Sequence, residues 1–124
     1  TLAELSDGRF SLGLGVSHPV LVEPRGHAWV KPVPKMRAYL ARLRVAPIEA
    51  PRAATPAPVI VAGHGPGLLK VAAAQADGAF LFLQPTAAVR EARAALGPNK
   101  ELHVVVRCAL AADPVEARLA TGRE

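Results

Sequence analysis

Short apolar runs alternate with helical patterns along nearly the whole of this chain. Four runs have strand character, at residues 10–16, 59–62, 79–83 and 103–110. Apolar residues at helical spacing fill the intervals between them, and Pro114 is placed to open a further helix. Such regular alternation favours parallel strands joined by right-handed crossovers. We therefore predict an α/β fold in which both faces of the sheet are covered.

Composition narrows the class of protein. Of the 124 residues, 51% are apolar and only 4% aromatic, which suits a core of Val, Leu and Ala in close helix-on-sheet layers. The net charge of +5 is spread without basic blocks, so we expect no nucleic-acid partner. No apolar stretch reaches the roughly 18 residues that span a bilayer, and Cys108 is the only cysteine. We expect a soluble protein of the reducing cytoplasm, without a membrane partner.

Two proline-rich connectors, residues 19–34 and 46–58, interrupt the alternation. Their prolines predict that neither contains regular structure. The first follows the C-terminal end of a strand, where the ligand sites of parallel α/β folds gather. The opening TLAELSDG is typical of the end of a helix, with Gly8 as its C-terminal stop. We expect the chain to be cut from a longer protein.

The first candidate site stands at the end of the first predicted strand, in the stretch GRFSLGLGVSHP. Ser17 and His18 either form a plain turn before Pro19 or face a bound ligand, and periodicity alone favours the turn. An imidazole can donate a hydrogen bond or act as an acid or base near neutral pH, so His18 is our candidate catalytic residue. In the connector that follows, His27 and Trp29 are candidates for a substrate lid.

The second candidate site is a glycine-rich turn in the stretch PVIVAGHGPGLL. Gly63, Gly65 and Gly67 stand where a strand is predicted to turn into a helix that begins near Pro66. Glycines let a phosphate approach the free N–H groups of a first helical turn. Tight packing of the turn needs the same small residues, and the sequence leaves both interpretations open.

A dinucleotide-binding Rossmann unit is the alternative fold. Its fingerprint needs glycines at positions 63, 65 and 68, but Leu68 occupies the last of these. No carboxylate stands near Gln84, where the next strand ends, to hold a ribose.

The remaining polar residues predict no catalytic cluster. His64 and His103 lack ligand spacing to each other and to Cys108, so we expect no metal site. Asp77 stands at a predicted helix-to-strand turn, where a carboxylate usually serves the backbone. Arg93 lies on a helical pattern and should be solvated.

Four segments carry a family resemblance: LSDGRFSLGLGVSHPVLVE, KPVPKMRAYLARL, GHGPGLLKVAAAQADGA and ADPVEAR. In this order they resemble the luciferase-like monooxygenase superfamily, and most closely its branch that uses the deazaflavin coenzyme F420. The resemblance implies a (β/α)₈ barrel that binds its flavin or deazaflavin at the C-terminal ends of the strands. It also implies hydride transfer to or from the cofactor ring, or oxygenation where the cofactor is FMN, on a small organic substrate.

The resemblance assigns roles to both candidate sites. Gly15, Ser17 and His18 would face the cofactor ring or substrate at the end of the barrel's fourth strand. The turn after the fifth strand would lie against the cofactor's side chain, and it comprises Gly63, His64, Gly65, Pro66 and Gly67. His64 departs from the small or apolar residue that relatives commonly carry.

The number of strands predicts an incomplete barrel. A complete barrel has eight strands in about 250 residues, whereas this sequence has four strand runs, about half. An open arc of parallel strands leaves two unpaired edges. We therefore expect the chain alone to be inactive, and either to self-associate through those edges or to lean on a partner or missing segment. A non-catalytic remnant or binding module is the alternative function.

Overall fold

A computed structural model describes residues 1–47, 49–51 and 53–122. The helices are α1 (Leu2–Leu5), α2 (Pro19–Val22), α3 (Pro32–Val45), α4 (Pro66–Gln75), α5 (Thr86–Leu96) and α6 (Pro114–Gly122), with a 3₁₀ turn at Glu23–Arg25. The strands are β1 (Leu12–Leu14), β2 (Val59–Ala62), β3 (Gly78–Phe82) and β4 (Glu101–Val105). The chain is therefore α/β, as its alternating pattern predicts.

The four strands form one open parallel sheet in the order β1-β2-β3-β4. Each strand pairs with its successor in the chain, so the strand order contains no reversal. Right-handed crossovers between such neighbours place the crossover helices α3, α4 and α5 on the same face, and α4 packs between α3 and α5. This singly wound arc corresponds to part of a (β/α) barrel. The Rossmann alternative is wrong, because a doubly wound sheet needs a switch point in its strand order.

The hydrophobic core lies between the sheet and the helices. Alternate residues of the central strands point into it, among them Val61 and Leu81, which are almost fully buried. Alanines bring the helices close, since Ala72 of α4 and Ala92 of α5 have no exposed surface. Met36 of α3 closes the same cluster. Most of the buried apolar surface, which stabilises the fold, therefore belongs to this helix-covered side.

The other face of the sheet, here called the concave face, is partly open. Its side chains alternate with those of the core, so Ile60 of β2 and Phe80 and Phe82 of β3 lie on it. Ile60 is buried above Gly78, but Phe82 is exposed. The expectation that both faces are covered is therefore wrong for the described residues, because this face would line the interior of a closed barrel.

Asp77 ties three strands together at their N-terminal ends. Its carboxylate accepts a hydrogen bond from the N–H of Val59 at 2.8 Å, and its own N–H donates to the Val59 carbonyl at 2.9 Å. Its carbonyl accepts from the N–H of Glu101 at 3.0 Å. The structural role predicted for this carboxylate is confirmed.

The first proline-rich connector contains more regular structure than its composition predicts. Pro19 begins α2, Pro24 lies in the 3₁₀ turn and Pro32 begins α3. The prediction of no regular element over residues 19–34 is wrong because proline is excluded from helix interiors but not from first turns, whose N–H groups need no helical partner. In the second connector, the described residues contain no helix or strand.

Strand boundaries differ from the sequence pattern at both edges of the sheet. β1 keeps three of the predicted residues 10–16, and β4 starts earlier and ends at Val105 rather than continuing to position 110. The pairing partner sets these limits, since β3 reaches only Phe82 and Leu83 then takes a positive φ of 49°. At the N-terminus, Gly8 ends the α1 turn with a φ of 75°, which confirms the predicted stop. Within the described residues, no helix is long and apolar enough to cross a membrane.

Candidate functional site

A cavity of about 450 Å³ opens at the C-terminal ends of β1, β2 and β3, on the concave face. The residues that line it come from β1 and its extension, the first connector, the glycine turn and β3. They are Gly15, Val16, Ser17, His18, Trp29, Pro32, Ala62, Gly63, His64, Leu68, Phe80 and Phe82. This is the edge of a parallel sheet at which ligand sites of α/β folds form, and the volume lies within the range of small-molecule pockets.

Ser17 and His18 reach the cavity because the chain turns sharply after β1. Ser17 has a φ of 64°, in the left-handed region that a non-glycine residue rarely occupies. His18 returns to an extended conformation, with φ −134° and ψ 151°, as expected before a proline. The His18 carbonyl accepts from the N–H groups of Leu21 and Val22, and so starts α2. The strained backbone thus fixes the positions from which the Ser17 and His18 side chains project.

The imidazole of His18 is available to a ligand. It is exposed and makes no capping bond to the helix that follows it. Within the described part of the chain it makes no other hydrogen bond. The interpretation in which this ring simply bonds within the turn is therefore not supported, and a bound group would meet an unengaged imidazole.

Apart from His64 of the glycine turn, aromatic and apolar side chains form the rest of the wall. Phe80 and Phe82 project from the concave face of β3, and Trp29 with Pro32 approaches from the first connector. Trp29 therefore lines the cavity, where a residue of a substrate lid would have to lie. His27, the other lid candidate, does not line it. The two phenylalanines were missed by sequence reasoning, although their period-two spacing in GAFLF is the signal that places them on one face.

The glycine turn is explained in large part by packing. A Cβ on Gly63 would stand 2.5 Å from Leu68 Cδ1, and a Cβ on Gly67 would stand 2.8 Å from Val33 Cγ2. Gly65 has open space but a φ of 85°, which a side chain would strain. Each glycine thus has a structural reason to be small, whatever ligand the turn meets.

The structure divides the predicted site residues into three groups. Gly15, Ser17, His18, Gly63 and His64 share the cavity. Two others, Gly65 and Pro66, border a separate cavity of about 230 Å³ between α4 and α5, which His64 also reaches. The last, Gly67, packs beneath the side chain of Val33.

Two further polar features lie outside the cavity lining. Glu101 and His103 share the concave face of β4, and the Glu101 Oε2 atom lies 2.6 Å from His103 Nε2. Cys108 is an exposed free thiol. In the parts of the chain that the structure describes, no three His, Cys, Asp or Glu side chains come close enough to hold a metal ion.

Comparison with known protein families agrees with this architecture. A family model described as luciferase-like monooxygenase matches residues 1–118, which include all four strands and the cavity. It describes a family of oxidoreductases whose members generally use flavin or F420 cofactors. Because the match covers nearly the whole chain, this protein belongs to the luciferase-like monooxygenase family.

Proposed function

We propose that this chain forms part of an oxidoreductase that binds coenzyme F420 in the cavity and transfers hydride between that cofactor and a small organic substrate. The observation that carries the proposal is the presence of Ser17 and an unengaged His18 on the wall of a cavity whose other walls, apart from His64, are apolar and aromatic. The F420 branch is favoured over FMN by the likeness of the stretch GLGVSH, followed by Leu21 and Val22, to that branch.

The residues present fit a flat conjugated ring. Phe80, Phe82 and Trp29 supply apolar and aromatic surface for its faces. At Gly15, a Cβ would stand 3.7 Å from Ala62 Cβ. Because glycine has no side chain, the backbone forms this part of the cavity wall and leaves space for a ligand. A few polar groups at the rim of an apolar pocket are the arrangement that orients most small-molecule ligands.

When bound, the cofactor supplies the hydride chemistry, and the chain supplies binding, orientation and polarity. His18 donates a ring N–H to charge that develops on the bound ring or substrate. Ser17 offers its hydroxyl beside it, at the residue whose positive φ turns the chain toward the cavity. Phe80 and Phe82 would supply apolar surface that keeps water from a ring bound in this cavity.

A non-catalytic module is the second candidate function, and a specific observation favours it. Among the four strands, only β1 with its extension, β2 and β3 contribute lining residues to the cavity, and Glu101 and His103 on the concave face of β4 are exposed. A half-built wall can retain a ligand weakly without assembling the groups that a reaction needs.

Titration of the purified chain with F420 and with FMN, followed by absorbance and fluorescence, tests the proposal. We expect F420 to be bound, and its affinity to fall about fivefold or more in the His18→Gln variant, which loses one charge-assisted or neutral hydrogen bond. His27→Gln is the matched control, because this exposed histidine lies outside the cavity. Binding of FMN alone would overturn the cofactor assignment. Binding of neither would favour the non-catalytic module.

A further inference from the structure

A row of four residues crosses the concave face at the level of the cavity. In the register of the sheet, Ala62 pairs with Phe80, and Phe80 pairs with His103. On the other side of Ala62, a Cβ on Gly15 would stand 3.7 Å from the Ala62 Cβ, so Gly15 continues the row on β1. Neighbouring members stand about 4.8 Å apart, as adjacent strands do. The row, here called the cavity row, consists of Gly15, Ala62, Phe80 and His103.

The cavity row has space on one side of Phe80 only. Gly15 has no side chain and Ala62 has a single methyl group, and both line the cavity together with the Phe80 ring. His103 does not line it. Its imidazole stands on the same face of the next strand, at the position directly beside Phe80. The phenyl ring therefore lies between the open part of the row and a second ring.

Glu101 holds the imidazole of His103 in place. These residues are two positions apart on β4 and so project from the same face. The Glu101 Oε2 atom lies 2.6 Å from His103 Nε2, which is a short hydrogen bond. Gly78, the partner of Glu101 on β3, has no side chain that could push the carboxylate away. Exposed pairs of this kind add little to the stability of a fold, and the effect of this one is to fix the direction of the His103 ring.

We propose that His103, held by Glu101, is a positioning residue of the candidate site. Its imidazole fills the β4 side of Phe80, so the phenyl ring leans over Ala62 and forms the wall against which a flat ligand ring packs. Without the imidazole, the Phe80 ring can turn toward β4 into another rotamer, which withdraws aromatic surface from the ligand. The consequence for cofactor binding rests on the proposed function, whereas the orientation of Phe80 does not.

NMR spectroscopy of the 124-residue chain without any cofactor tests the orientation of Phe80. In the parent chain we expect nuclear Overhauser effects from the Phe80 ring protons to the Ala62 methyl group and to the His103 ring. The effects to the Ala62 methyl group should be lost in His103→Ala and kept in His103→Phe, which restores a ring. Glu101→Ala should weaken them, because the imidazole remains but is no longer held. Unchanged effects between Phe80 and Ala62 in both alanine variants would overturn the proposal.

Titration of the same variants with F420 and with FMN tests the connection to the site. His103→Ala should weaken binding of whichever cofactor the parent binds by about threefold to tenfold, the range of one aromatic contact. His103→Phe should stay within about twofold of the parent, because a ring again supports Phe80. Far-UV circular dichroism of each variant separates loss of binding from loss of folding.

His27→Ala is the matched control, since this exposed histidine lies outside both the cavity lining and the cavity row. It should leave the affinity unchanged. Equal affinities of the parent and His103→Ala, or an equal loss in His27→Ala, would overturn the proposal. A parent chain that binds neither cofactor would overturn the proposed function instead, and the NMR comparison would then decide the positioning role by itself.

Discussion

Gly78→Ala is the substitution whose cost follows most directly from the structure. Gly78 begins β3 on the concave face, and a Cβ there would stand 2.5 Å from the carbonyl oxygen of Glu101 and 2.8 Å from Glu101 Cβ. Carbon and oxygen ordinarily approach to about 3.3 Å. The obstructing atoms belong to the paired strand, so relief requires β3 and β4 to separate or slide. On the other side, Ile60 Cδ1 would stand at 2.9 Å, although this side-chain end can move.

The expected magnitude combines two opposing effects. Overpacking a well-packed site costs about 1 to 3 kcal/mol, and a backbone obstruction places Gly78→Ala at the upper end. Replacing glycine restricts the unfolded chain and returns about 0.4 to 1 kcal/mol. We expect the free energy of unfolding to fall by about 2 to 2.6 kcal/mol, and the Tm by about 10 °C for a chain of this size. Urea denaturation followed by circular dichroism and by the fluorescence of Trp29 measures the free energy of unfolding, and a thermal scan followed by circular dichroism measures the Tm.

Gly15→Ala is the matched control on the same face. Its Cβ would meet only Ala62 Cβ, at 3.7 Å, which is ordinary contact. We expect its free energy of unfolding to stay within about 1 kcal/mol of the parent, while F420 binding weakens because the methyl group enters the cavity. Equal stability of Gly78→Ala and the parent chain at the same protein concentration would refute this account of the β3–β4 spacing.

Three further substitutions test local features of the fold and site. Asp77→Ala removes the oxygen that accepts the 2.8 Å hydrogen bond from the Val59 N–H, and should lower the free energy of unfolding by about 1 to 2 kcal/mol. Asp77→Asn should lose about half as much, because its amide oxygen can still accept this bond. Equal losses in the two variants would contradict the assignment of the stability to this bond. Ser17→Gly should be about 1 kcal/mol more stable than Ser17→Ala in urea, because glycine relieves the positive φ; the reverse order would show that Ser17 is not strained. Arg93→Ala should cost about 1 to 2 kcal/mol in thermal unfolding, since the guanidinium donates to two backbone carbonyls at 2.8 and 2.7 Å. Arg93→Lys should keep part of that stability, and a neutral Arg93→Ala would mean that solvent replaces both bonds.

The strand order of a barrel arc followed from the family resemblance, since alternation alone left a Rossmann unit as an alternative. The parallel α/β class could be predicted from the sequence itself, because strands and helices alternate. The ends of the edge strands could not, because they depend on how far a neighbour extends. The apolar run continues past Val105 to Leu110, yet the paired register ends at Phe82 and Val105, and the N–H of Leu83 makes a last bond to the Val105 carbonyl. Arg93 was predicted to be solvated from its helical position, and the structure instead bonds it to carbonyls beyond the end of α5. Such contacts depend on loop geometry that spacing does not encode.

The candidate site was predictable in part for the same reason. Ser17 and His18 could be found because parallel sheets collect ligand sites at the C-terminal ends of their strands. The glycine turn was ambiguous in the sequence, since close approach of a phosphate and close approach of a side chain demand the same small residue. The 2.5 Å distance between a Cβ on Gly63 and Leu68 Cδ1 shows that packing alone requires this glycine.

The two faces of the sheet divide stability from chemistry. The helix-covered face contains almost all the fully buried side chains, whereas Ser17, His18 and the phenylalanines lie on or above the concave face. Substitutions of exposed groups on the concave face should therefore change binding with little change in the free energy of unfolding, because few buried contacts are lost there. Gly78 is the exception, since it lies on that face but lacks space for a side chain. The same division separates the core from the cavity, because the buried cluster lies between the sheet and the helices and the cavity opens on the other face.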